Sequence, residues 1–195
     1  MVMGDFVMFS QDYIIRLISQ ATAALATILG LRKSGQFQQA LGVIDQTLEG
    51  LVGLSASLLK AMDDRSLLSL LTSQGRLDTD RLIVIADLFR AEGDVLVEQN
   101  RASESIESYN RALALYLEVA LADQSAPEAE LIAKIEALYQ QLSNHRLPAE
   151  TMLQLRAYYA RLLELDSRVL TATPVSRDEA ERRLQELDRR LNEGQ

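Results

Sequence analysis

Cysteine and tryptophan are absent from the 195 residues, and histidine occurs once, at His145. The missing thiols exclude disulfides, thiolate metal centres and cysteine nucleophiles, and a lone imidazole excludes a clustered-histidine metal site. Proline is nearly as scarce. Pro127, Pro148 and Pro174 are the only three, so no proline breaks a helix before residue 127. Long hydrophobic runs are missing too: Arg16, Arg32 and Lys33 bracket the most apolar stretch, and Ser19, Gln20, Thr22 and Thr27 interrupt it, so no membrane span is expected. Residues 1–9 are apolar but lack the basic region and cleavage site of a secretory signal, which makes the cytoplasm the expected location. Positive charge is also short, with 20 Lys and Arg against 28 Asp and Glu and a net charge of −8. No segment is a basic arm, and residues 61–125 hold most of the excess acid. A nucleic-acid partner is therefore not expected, because such binding needs a basic surface to displace counterions.

What remains is an ordinary globular composition, 48% hydrophobic and 25% charged, of a length that suits a single domain spanning 1–195. The apolar residues recur with a helical period almost throughout. Ile14, Leu17, Ile18, Ala21, Leu25, Ile28 and Leu29 define a helix from about Gln11 to Lys33, with Ser10 as its expected N-cap. Gly35 ends it, and Phe37, Ala40, Leu41, Ile44, Leu48 and Leu51 mark a second helix. A connection of only Ser34–Gln36 forces an antiparallel hairpin. Residues 53–80 read as two brief helices, Ser55–Met62 and Arg65–Leu71, after which Asp78 caps the next element. A second hairpin has Leu82, Ile85, Phe89, Gly93 and Leu96 on one helix and Ile106, Tyr109, Leu113, Tyr116 and Leu117 on the other. A third joins Pro127–Leu142 to Pro148–Leu165. The last helix, over 176–193, opens on a Ser176/Glu179 capping box and carries three acid-first pairs four residues apart: Asp178 with Arg182, Glu179 with Arg183 and Glu186 with Arg190. Its apolar stripe is narrow, so it is expected to cap the fold with its charged face in water; a self-associating coiled coil is the alternative.

The two hairpins carry an internal repeat. Gly-Gln-Phe-Gln-Gln-Ala-Leu at 35–41 matches Asn-Arg-Ala-Ser-Glu-Ser-Ile at 100–106, with Ala40 and Ser105 small where two helices must approach closely. Gly93, Leu96, Ser105, Ile106, Tyr109 and Ala112 fall at the spacings of a tetratricopeptide repeat, which the second copy resembles; Leu31, Gly35, Phe37, Ala40, Leu41 and Ile44 give the first copy a weaker likeness. Neither copy has the repeat's usual Trp or Pro. The copies lie 65 residues apart against a period of about 34, which places one degenerate hairpin at 53–80. The whole chain, and Met-Phe-Ser-Gln-Asp-Tyr-Ile-Ile-Arg at 8–16 in particular, also resembles a bacterial family of uncharacterised tetratricopeptide-like proteins, which implies a fold and no activity. The expected fold is all-α: antiparallel helix pairs stacked as a tetratricopeptide-like α-solenoid with a C-terminal capping helix. A compact helical bundle whose hairpins mimic the repeat is the alternative.

Site chemistry is sparse. His145 sits in an expected loop with no second ligand, and nothing near it behaves as a nucleophile on a strained turn. The pairs Asp63/Asp64 and Glu128/Glu130 belong to solvated helix faces, and Gly50 and Gly53 lack the context of a phosphate loop. No catalysis, cofactor or metal is expected. The tyrosines fall mostly on apolar faces, as core residues whose hydroxyls reach the surface. The apolar side chains of residues 1–9 are expected to pack under the first hairpin, a dimer contact being the alternative. The tetratricopeptide resemblance implies an inner groove built from the first helix of each pair. Its positions are Thr22, Leu25, Leu29, Arg32 and Lys33 in the first copy, and Asp87, Arg90, Asp94, Val97 and Glu98 in the second. Arg32, Lys33, Asp87, Arg90, Asp94 and Glu98 are the candidate partner-binding residues. The expected function is a protein-interaction module taking a peptide or helical segment, a basic one suiting the acidic middle of the chain best. A homo-oligomeric assembly protein, or a small-molecule binder or enzyme, are the rivals.

Overall fold

A computed structural model describes residues 3–123, 125–165 and 174–193, with side chains from Ile15 onward. Nine helices are described: α1 (Met3–Lys33), α2 (Phe37–Val52), α3 (Ala56–Ala61), α4 (Asp64–Leu70), α5 (Thr79–Glu98), α6 (Ala102–Leu121), α7 (Ala129–Gln141), α8 (Ala149–Glu164) and α9 (Arg177–Glu193). The only strands described are two residues each, β1 (Thr72–Ser73) and β2 (Arg76–Leu77), paired antiparallel. The chain forms two compact units, one up to Ser108 and one from Tyr109, so the boundary falls within α6.

In the first unit α1 and α2 fold back on each other through Ser34–Gln36. The turn is a Schellman motif: the Gln36 N–H donates to Leu31 O at 2.9 Å and the Gly35 N–H to Arg32 O at 3.0 Å, with Gly35 at φ +73°. The α5–α6 turn repeats it. Arg101 N–H donates to Leu96 O at 3.0 Å and Asn100 N–H to Val97 O at 2.9 Å, with Asn100 at φ +59°. Gly35 and Asn100 thus hold the same left-handed position in the two matching segments, and the small residues behind them, Ala40 and Ser105, are both buried. A Cβ on Gly35 would meet nothing within 4 Å, so Gly35→Ala isolates the backbone term. The variant should lose about 1–2 kcal/mol in urea unfolding, the cost of left-handed φ for a residue bearing a Cβ.

Helix α5 packs against both α1 and α2. Residues 53–78 between them form an excursion from the α1–α2–α5 packing. Their helices are six and seven residues long. Each starts one residue from the expected position, with Ser55 capping α3 and Asp63 capping α4, and Asp78 caps α5 as expected by accepting from the Arg81 N–H at 3.1 Å. Helix α1 begins at Met3, so Ser10 lies inside the helix and not at its N-terminus. No proline follows it, and its apolar period continues on both sides. The expected packing or dimer contact of residues 1–9, and the side chain of Tyr13, lie outside the described residues.

In the second unit the remainder of α6 joins α7, α8 and α9. Leu113, Leu115, Tyr116 and Leu117 of α6, Ile132, Ile135 and Leu138 of α7, and Leu155, Tyr158, Tyr159 and Leu162 of α8 have no exposed surface. Helix α9 lies along α8 and buries Ala180 and Leu187. Two of its three expected pairs form, Glu179–Arg183 at 2.7 Å and Glu186–Arg190 at 3.2 Å. Arg182 pairs with Glu179 instead of Asp178, because Glu179 already stands at the head of the helix within reach of both arginines. Half of the capping box forms: the Glu179 N–H donates to Ser176 Oγ at 3.2 Å, while the Glu179 carboxylate turns to the arginines.

Candidate functional site

Arg32, the last residue but one of α1, reaches α5 with both arms of its guanidinium. Nη1 donates to Asp94 Oδ2 at 2.5 Å and Nε to Glu98 Oε1 at 2.8 Å. The acids lie one turn apart on α5, which is why a single forked side chain spans them. Burial works against the Arg32 charge, and the two carboxylates outweigh it, so its pKa is raised. Three of the six candidate residues therefore meet in one network. Lys33 is exposed beside it, and Asp87 and Arg90, further back on α5, are half-buried. The six charges sum to zero. Around the network, Leu29 of α1 and Val97 of α5 are 45% and 50% exposed, large apolar side chains left in water.

A second cluster lies deeper in the same unit and escaped sequence reasoning. Lys60 of α3 binds Asp45 of α2 at 2.6 Å and also Glu92 of α5, and Glu92 accepts from Ser108 Oγ of α6 at 3.0 Å. Glu92 is only 7% exposed. Burial disfavours the Lys60 ammonium, and its hydrogen bonds to Asp45 and Glu92 more than restore it, leaving its pKa raised. Four helices converge on one ion network, in which buried Glu92 is met by the part-exposed Lys60 and by Ser108. One signal was available: Glu92 falls on the buried stripe of α5 between Phe89 and Leu96.

The third cluster is in the second unit. Glu136 of α7 accepts from the Tyr159 hydroxyl at 2.9 Å and lies 3.2 Å from Arg183 Nη1 of α9. Arg183 also donates to the Tyr159 hydroxyl at 3.2 Å, and its guanidinium stacks 4.9 Å from the Tyr139 ring centroid. Burial raises the Glu136 pKa, with Arg183 and the Tyr159 hydroxyl pulling the other way. Burial likewise holds the Tyr158 and Tyr159 phenols protonated well above their ordinary range. The expectation that tyrosine hydroxyls reach the surface fails here: both rings are fully buried, and the hydroxyls find a carboxylate instead of water. The cluster fastens α7, α8 and α9 to one another.

His145 is exposed in the α7–α8 loop, where its backbone N–H donates to Leu142 O at 2.9 Å. Asp63 serves as the α4 cap, its carboxyl held below the usual range by the Ser66 N–H. Among the described residues no group of three or more His, Asp or Glu is placed to hold a metal ion, and no helix is long and apolar enough to cross a membrane.

Packed helix pairs with charge networks at their seams define an all-helical protein. The chain belongs to the family of unknown function DUF6483, whose model matches residues 8–192. No curated protein and no solved structure matches it.

Proposed function

We propose that the protein is a cytoplasmic interaction module without catalysis of its own, built from tetratricopeptide-like helix pairs, and that the α1–α5 face receives a segment of a partner protein. The observation that carries this reading is the Arg32–Asp94/Glu98 network. It sets the first helices of two matching hairpins side by side across 62 and 66 residues of sequence. In stacked helix pairs, the first helices line the inner surface on which a peptide or helix is laid. Leu29 and Val97 supply exposed apolar contacts on that face, and Lys33 and Arg90 supply charge around them. A basic segment would have to compete with Arg32 for Asp94 and Glu98, so the apolar positions are the stronger basis for recognition.

The test follows from the same geometry. Reversing Asp94 and Glu98 would set two cations against Arg32 and confuse lost packing with lost binding. Leu29→Ser with Val97→Ser leaves the network alone, and such surface changes alter stability by only about 0.5 kcal/mol. Affinity capture with the wild-type chain should recover a recurrent partner that the double variant loses, at unchanged helical circular dichroism. Equal recovery by both proteins would remove the α1–α5 face from consideration, and a preparation that captures only its own copies would favour the homo-oligomeric alternative.

A further inference from the structure

Helices α8 and α9 run antiparallel, since Arg156 pairs with Asp188 at 2.5 Å and Arg183 reaches Tyr159. Where α8 begins and α9 ends, the pair opens into a cleft of about 640 Å³, within the range of small-ligand sites. Leu147, Met152, Leu153 and Leu191 form its apolar lining, and Arg146 and Arg190 its charged part. Leu153 is 55% exposed, an apolar side chain on open display, and Met152 beside it is a flexible residue that adapts to a varied apolar guest. Arg146 has no ion-pair partner among the described residues. Arg190 is anchored through Nε to Glu186 at 3.2 Å.

We propose that this cleft binds a carboxylate amphiphile with a single alkyl chain, the chain lying over Met152, Leu153 and Leu191 and the carboxylate meeting Arg146 and Arg190. Charge complementarity selects an anion, because both ionisable side chains of the lining are guanidiniums, the donors best matched to a carboxylate. The apolar lining selects an alkyl chain over an extended peptide. Peptide amides need partners all along their length, and Asn192 is the only neutral polar side chain in the lining. This site belongs to the second unit and is independent of the α1–α5 face.

The test is isothermal titration of the full chain with decanoate below its micelle concentration, beside decanol and acetate. Decanoate should bind at least about tenfold more tightly than either, since each control keeps only half of the recognition. Arg146→Glu should weaken decanoate about tenfold and leave decanol unchanged, and Leu153→Ser should weaken both. Both substituted residues are largely exposed, so circular dichroism should match wild type. Decanoate binding no tighter than decanol, or binding that both variants retain, would overturn the proposal.

Discussion

Arg183→Met should destabilise the second unit by about 3 kcal/mol at neutral pH, because it leaves the buried Glu136 carboxylate without its counter-charge. The arginine and the glutamate have side chains 19% and 12% exposed, so little water is available to replace the lost partner. The deficit should depend on pH in a set direction. Burial raises the Glu136 pKa even beside Arg183, and removing the arginine raises it further. A carboxyl whose folded pKa lies above its unfolded value holds its proton more firmly in the folded chain. Its contribution to stability is full below the unfolded value of about 4.3 and is lost as pH rises through the folded pKa. Glu179 acts in the same direction on the difference. Its hydrogen bond to Arg183 lowers its pKa in the wild type, a stabilisation kept above the unfolded value of about 4.3 and lost only below it, so the change between pH 7.5 and 5 belongs to Glu136. Urea unfolding of both proteins should therefore show the gap between them narrowing from pH 7.5 towards about pH 5. Adding Glu136→Leu to Arg183→Met should recover part of the loss at pH 7.5 and flatten the pH dependence. A gap that stays constant with pH would show that Arg183 acts by stacking on Tyr139 and Tyr159 alone.

Phe89→Ala should cost the first unit about 3–5 kcal/mol, the usual range for deleting a buried aromatic ring. Phe89 is 2% exposed on α5, flanked on the buried stripe by Ile85 and Leu88, which have no exposed surface. The same helix supplies its own control: Val97 is 50% exposed, and Val97→Ala should change stability by no more than about 0.5 kcal/mol. The comparison, made by urea denaturation followed by circular dichroism, measures the side of α5 that the fold needs against the side proposed for a partner. Near-equal losses would mean that Val97 is covered in solution, for instance by a second copy of the chain.

The helices were legible because apolar period and turn chemistry agreed. The α2 stripe ends at Gly53, which takes φ +76° and donates to Glu49 O, and Asp78 marked the start of α5. The two-residue β-ladder went unread because its only signal is the Gln74–Gly75 turn, and its flanking residues are too few to show alternation. The start of α1 was misplaced because Ser10 and Asp12 imitate a cap in sequence. The candidate surface was read at the level of position, with Arg32, Asp94 and Glu98 assigned to one groove. That they neutralise each other was not readable, since it depends on how closely two helices pass. Glu136 and Arg183 were missed for a related reason. In sequence, Arg183 belongs to a run of charges with an acid four residues before it, and the local pair with Glu179 does form. Its second allegiance, to α7 and α8, exists only after the chain has folded.

The excursion at 53–78 bears on how the first unit folds. In a plain tandem array each helix pair nucleates against a neighbour about 34 residues away, and order spreads from one to the next. Here α1 must wait for α5, whose contacts with Arg32 close loops of 62 and 66 residues. Doubling a loop adds only about 0.6 kcal/mol to closure, so the finished unit scarcely registers the detour. The cost falls on the search, because distant contacts must be found before they reward the chain. Pruning the excursion to a short linker should speed the search for the α1–α5 contacts while lowering stability, since it removes buried Leu59 and Leu67 and leaves Glu92 without Lys60.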